Sequence, residues 1–201
     1  MIPKIRFRYS EVFDRGYRKN IHTGKMLEEE GKEYPSERKI ESYIKKVEKV
    51  WKKQEKEILQ EIANITKFEW KEKEIICYII GAGRSFSDPL TIKVFDDERD
   101  FIDTLVHELI HNFFGQNKEK YDRWKKYRAK KYKAENPATI THIVLHALHY
   151  KIYQKLFSEK RIKEEIRRIK ERKMQDYLRS WEIVEQETPD AIIKKFHEVT
   201  K

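Results

Sequence analysis

Phe101-Ile102-Asp103-Thr104-Leu105-Val106-His107-Glu108-Leu109-Ile110-His111-Asn112-Phe113-Phe114-Gly115 is the stretch on which the reading of this chain turns. Phe101, Ile102, Leu105, Val106, Leu109, Ile110, Phe113 and Phe114 recur at helical spacing, so one side of a helix is fully apolar. The complementary stripe is Asp103, Thr104, His107, Glu108, His111 and Asn112. Asp96 or Asp97 supplies the N-cap, acidic residues fill the first turn, and Gly115 marks the end. His107 and His111 stand one turn apart on one face, a spacing that lets two imidazoles reach a single tetrahedral zinc. Glu108 is offset around the helix. It is placed to take a proton from a metal-bound water, not to serve as a third ligand.

Upstream of this helix the periodicity changes. Phe68 and Trp70 alternate with charged neighbours, and Ile75-Ile76-Cys77-Tyr78-Ile79-Ile80 reads as a buried strand. Gly81-Ala82-Gly83-Arg84-Ser85 lacks the ending and spacing of a phosphate loop and reads as an ordinary strand connection. Leu90, Ile92 and Val94 alternate as a further strand. Further upstream, Pro35-Ser36 opens a helix expected to reach about Ile65, with Ile40, Ile44, Val47, Trp51, Ile58 and Ile62 on its buried face. Ile5, Phe7 and Tyr9 alternate as a short strand would, but Gly16, Asn20, Gly24 and Gly31 punctuate the chain beyond them. Residues 1–34 are therefore expected to be poorly structured or extended.

Downstream lies a second helix over about 118–134, and Asn136-Pro137 starts another that runs to about Phe157. A highly charged stretch extends from Ser158 to about Val184, and Thr188-Pro189-Asp190 precedes a short final helix. The expectation is a predominantly helical α+β protein of one domain, residues 1–201. Its catalytic core lies at 74–157 and charged helices at 158–201.

Composition narrows the partners. Lys and Arg number 45 against 35 Asp and Glu, a formal charge of +10, which invites a nucleic-acid or anionic-membrane partner. The charges are interleaved, as in Glu164-Glu165-Ile166-Arg167-Arg168, which favours solvated helix faces with i,i+4 pairs over a nucleic-acid groove. A chain that is 40% charged, mostly Lys and Glu, also suits a hot environment. The single Cys77 excludes a disulfide framework and a cysteine zinc site. No apolar run is long enough to span a bilayer, and the charged N-terminus is unlike a signal peptide. The expected location is the cytoplasm.

Five of the seven histidines fall between 107 and 149. His142, His146, His149 and Tyr153 occupy i, i+4, i+7 and i+11, one polar stripe on an otherwise apolar helix and the natural counterpart of His107 and His111. The extended pattern of metzincins is excluded, because Gly115 is displaced by one and Lys118 stands near where a histidine would be.

With these residues in place, the chain resembles the zincin metallopeptidases, especially the small single-domain gluzincin-like forms, over about residues 74–157. The resemblance implies a small sheet packed on the His-Glu-x-x-His helix, a Zn2+ cofactor and a peptide or protein substrate. It implies His107, His111 and His142 as ligands, with His146 as an orienting residue or alternative ligand. Gluzincins carry Glu and Asp where His142 and His146 stand, so the two roles could be reversed. Zinc-activated water would attack a scissile carbonyl with Glu108 as general base. A peptide would lie along strand 74–80 or 90–95. His149, Tyr150 and Tyr153 are candidates for an oxyanion donor or the cleft lining.

Three other readings stand beside this one. A DNA-associated protease resembling the SprT-like family would use the basic and aromatic mixture of 120–133, with Tyr121, Trp124, Tyr127 and Tyr132 as its footprint. A closed structural zinc site would take His107, His111, His142 and His146 together. A latent enzyme would have its cleft covered by residues 1–34 or by the C-terminal helices.

Overall fold

In a computed structural model that describes residues 1–201, the chain is a predominantly helical α+β protein of ten helices and one four-stranded sheet. It divides into two compact units, Met1–Lys56 with Lys71–Asn112, and Glu57–Trp70 with Phe113–Lys201. No helix is long and apolar enough to cross a membrane.

The first unit holds the sheet, which has the order β1-β2-β4-β3. β1 (Lys4–Tyr9) and β2 (Glu74–Ile80) run parallel, with Ile5 opposite Ile75 and Phe7 opposite Cys77. β4 (Leu90–Lys93) runs parallel to β2, and the short β3 (Phe86–Ser87) pairs antiparallel with β4. Alternation in β1 buries Ile5 and turns Lys4, Arg6 and Arg8 to solvent. The continuous apolar run of β2 suits a strand paired on both sides.

Residues 1–34 are more ordered than their glycines suggest. After β1 come α1 (Glu11–Arg18), capped by Ser10, and α2 (Ile21–Glu29), capped by the Asn20 side chain. Gly16 and Gly24 lie inside these helices. Buried Asp14 anchors the segment. Its carboxylate accepts from Tyr34 Oη at 2.6 Å, Tyr9 Oη at 3.1 Å and the Gly81 N–H at 2.9 Å, and Arg18 pairs with it at 3.1 Å. The Tyr9 hydroxyl is pushed up to about 12 by burial and by the Asp14 charge.

The single helix expected over 36–65 is two, α3 (Glu37–Lys52) and α4 (Glu55–Thr66). At the break, Glu55 Oε1 accepts from Trp51 Nε1 at 3.0 Å and from the Ile5 N–H at 2.8 Å. α5 (Glu98–Gln116) begins in this unit, where the Phe101 ring packs on Phe7 and Tyr43.

The second unit is helical. α5 ends in it, and beyond it come α6 (Lys118–Lys131), α7 (Pro137–Leu156), α8 (Glu159–Glu171), α9 (Gln175–Glu187) and α10 (Pro189–Thr200). α7 is the central helix, packed by α8, α9 and α10. Aromatic side chains fill the core. Trp70 lies on Phe113 at 4.3 Å, Phe114 stacks on Tyr121 at 4.1 Å, and Phe196 meets Phe68 and Trp124. Phe68 and Trp70 thus serve as core anchors outside any strand, and Trp70 Nε1 donates to the Leu59 carbonyl at 3.0 Å. Interleaved charges pair along helix faces, as in Lys118–Asp122, Arg167–Glu171 and Arg168–Glu165.

Candidate metal centre

On α5 the apolar residues from Phe101 to Phe114 are buried, while His107, Glu108, His111 and Asn112 are half-buried on the remaining stripe. The His107 and His111 rings lie 5.0 Å apart and near perpendicular, as the i,i+4 spacing requires.

α7 starts where the Asn136 side chain accepts from the Ala138 N–H and Pro137 occupies the first turn. From there His142, His146 and His149 are all buried. His142 Nδ1 lies 2.6 Å from the Ala138 carbonyl. A carbonyl only accepts, so Nδ1 carries the proton and Nε2 the lone pair. One ligand nitrogen from each of His107, His111 and His142 lies within 4.8 Å of the others, a grouping able to hold a metal ion.

His146 stands outside that grouping and is held from α9. Ser180 Oγ donates to the Tyr177 carbonyl at 2.8 Å and lies 2.6 Å from His146 Nδ1, so Nδ1 donates to Ser180. The Trp181 ring stacks on His146 at 4.4 Å, and the Tyr177 ring lies 4.1 Å from His142. His149 packs on Tyr153, which is itself buried, at 4.6 Å. Tyr150 lines a pocket of about 340 Å³ with Glu159, Ile162, Lys163, Val184 and Pro189. None of the grouped histidines lines that pocket.

Tyr177, Ser180 and Trp181 are not among the residues that sequence reading singles out. They lie in a stretch that reads only as charged, yet their i, i+3, i+4 spacing puts two aromatics and one small hydroxyl on a single helix face.

Glu108 has an unusual acidity. Burial pushes its carboxyl up to about 7, and the nearby Arg84 charge offsets only part of that rise. Behind it, Cys77 is fully buried, and burial together with the smaller effect of the Glu108 charge pushes its thiol well up. Cys77 is a packing residue of β2.

Two expectations need correction. β2 is flanked by β1 and β4, and β4 by β2 and β3, so the sheet edges belong to β1 and β3 and not to strands 74–80 or 90–95. Most of the aromatic footprint for nucleic acid is core: Tyr121, Trp124 and Tyr132 are buried and cannot stack on bases, and only Tyr127 is half-buried.

No family model, no curated protein and no solved structure matches the chain.

Proposed function

We propose that the chain is a zinc-dependent peptidase of the zincin kind. The observation that carries this reading is the approach of His107, His111 and His142 around one point, with Glu108 between the two α5 histidines in sequence. The donor set fits zinc. Three neutral imidazoles are typical ligands, and the tautomer of His142 leaves Nε2 as its donor atom. His146, bonded to Ser180 and outside the grouping, supports a three-histidine site open to water over a closed four-histidine one.

A zinc ion held there would acidify a coordinated water and polarise a carbonyl. Glu108 would accept the water proton on its carboxylate and return it to the leaving amine. A carboxyl titrating near 7 suits both tasks at neutral pH. The Tyr177 ring, tilted against that of His142 at 4.1 Å, restricts its movement, and the Ala138 carbonyl fixes its proton.

The test is metal content with activity. The purified protein should hold about one zinc per chain. His107→Ala, His111→Ala and His142→Ala should lose it, and His146→Ala should weaken it by about 10–100-fold. Glu108→Gln should keep the metal while peptide hydrolysis falls by about 10²–10⁴-fold. Stoichiometric zinc in the His107 or His111 variant would overturn the site. Complete loss from His146→Ala, equal to that of His142→Ala, would favour the closed structural centre.

A further inference from the structure

Arg84 lies in the connection between β2 and β3, a segment that sequence alone marks as unremarkable. The connection is rigidly held. The Gly81 N–H is bonded to Asp14, and a Cβ at Gly81 would overlap the Tyr34 ring. Gly83 has φ +125°, a conformation that side chains rarely adopt, and the Tyr17 ring occupies the space where its Cβ would be. Beyond Arg84, Ser85 Oγ accepts from the Lys93 N–H at 3.2 Å. The Asn112 side chain donates to the Ser87 carbonyl at 3.2 Å.

That last bond fixes where the connection lies. Asn112 is four residues beyond Glu108, so both are on one face of α5, one turn apart. The segment carrying Arg84 is therefore tied to the face that presents the carboxylate. Arg84 is also the one cation whose charge acts noticeably on Glu108.

The guanidinium is nonetheless not consumed by the fold. Arg84 is exposed and makes neither a salt bridge nor a hydrogen bond within the chain. Within this unit, Arg6 pairs with Glu74, Arg15 with Glu11, Arg18 with Asp14 and Arg99 with Asp97, while Arg84 shares its free state with Arg8 and Arg38 and differs from them in acting on Glu108. An arginine on a fixed connection tied to the helix face that carries Glu108, with its fork of donors unspent, is suited to bind a planar anion bidentately.

We infer that Arg84 receives the free terminal carboxylate of a peptide substrate, making the chain selective for the C-terminal ends of peptides. The inference rests on the peptidase reading for its substrate class, and on the fixed connection for the site itself. A carboxylate matches the two-donor edge of the guanidinium, whereas a terminal amide offers it one weak acceptor and an opposing donor pair.

The experiment is calorimetric binding of N-acetyl-trialanine, as free acid and as C-terminal amide, to the protein as purified. The wild type should bind the acid at least about ten-fold more tightly than the amide, the scale of a charge-assisted bidentate pair. Arg84→Gln should erase that preference without changing amide binding or thermal stability, and Arg84→Lys should keep part of it. A preference arising from direct carboxylate–metal contact would survive Arg84→Gln, and that result overturns the inference. Equal affinity for acid and amide, or binding of neither, overturns it too. Hydrolysis monitored in the same samples separates the two readings. Arg84-dependent acid binding without Glu108-dependent cleavage sinks the peptidase and leaves the carboxylate site. Equal cleavage of acid and amide sinks the carboxylate site and leaves the peptidase.

Discussion

Glu108 holds its proton to a higher pH than an ordinary carboxyl does. Its carboxyl titrates near 7 in the fold, well above the ordinary carboxylate range, because burial penalises the charge more than Arg84 relieves it. A carboxyl raised by folding contributes its full stability below the unfolded value, and that contribution is lost as pH rises through the folded one. Metal-free protein should therefore lose roughly 2–3 kcal/mol of unfolding free energy between about pH 4.5 and 7, once solvent access to a half-buried group is allowed for. Glu108→Gln should flatten that slope in urea titrations across the pH range. An unchanged slope would place the ionised form at ease in the fold and remove the burial argument. His107, Glu108 and His111 are legible in sequence because four-residue spacing on a helix is a local relation. Ser180 is not legible, since its bond to His146 spans 34 residues and depends on how α9 packs on α7. Arg84 is hidden for a similar reason, because only the fold brings it near Glu108.

The break between α3 and α4 shows how an element boundary can hide in a regular pattern. Trp51 and Ile58 are seven residues apart and both buried, so the apolar phase continues across the interruption. No Gly or Pro marks it. What marks it physically is Glu55, whose one oxygen receives both the Trp51 indole N–H and the Ile5 N–H. Glu55 thereby also covers the outer rim of β1, where an unpaired donor would invite another strand. Glu55→Ala should cost about 1–3 kcal/mol by leaving those donors without a partner, a loss readable from the denaturant midpoint at constant slope. A loss below about 0.5 kcal/mol, the range of ordinary surface substitutions, would mean that water replaces the carboxylate freely. Elements with strong local punctuation are placed closely by sequence. Asn136-Pro137 begins α7, and Thr188-Pro189 begins α10. The two-residue β3 carries no periodicity to read.

At the scale of the molecule, the first strand is structural. β1 lies beside β2 in the sheet, and Asp14 secures the helices after it to the connection at Gly81. Deleting residues 1–9 should leave the β2 edge bare and turn the protein into aggregates, as size-exclusion chromatography would report. A soluble, cooperatively melting deletion would show that β1 is dispensable. The pairing of β1 also has a consequence in time. Lys4 and its partner Glu74 are 70 positions apart, so β1 leaves the ribosome well before its neighbour exists. At about 5–20 residues per second the wait is roughly 4–14 s. Through that interval Ile5, Phe7 and Tyr9 have no sheet to join, and the intervening Lys4, Arg6 and Arg8 are placed as charged gatekeepers against aggregation. The same alternation that gives the strand one buried face in the finished sheet also breaks up the apolar residues of the nascent segment with charge until β2 arrives.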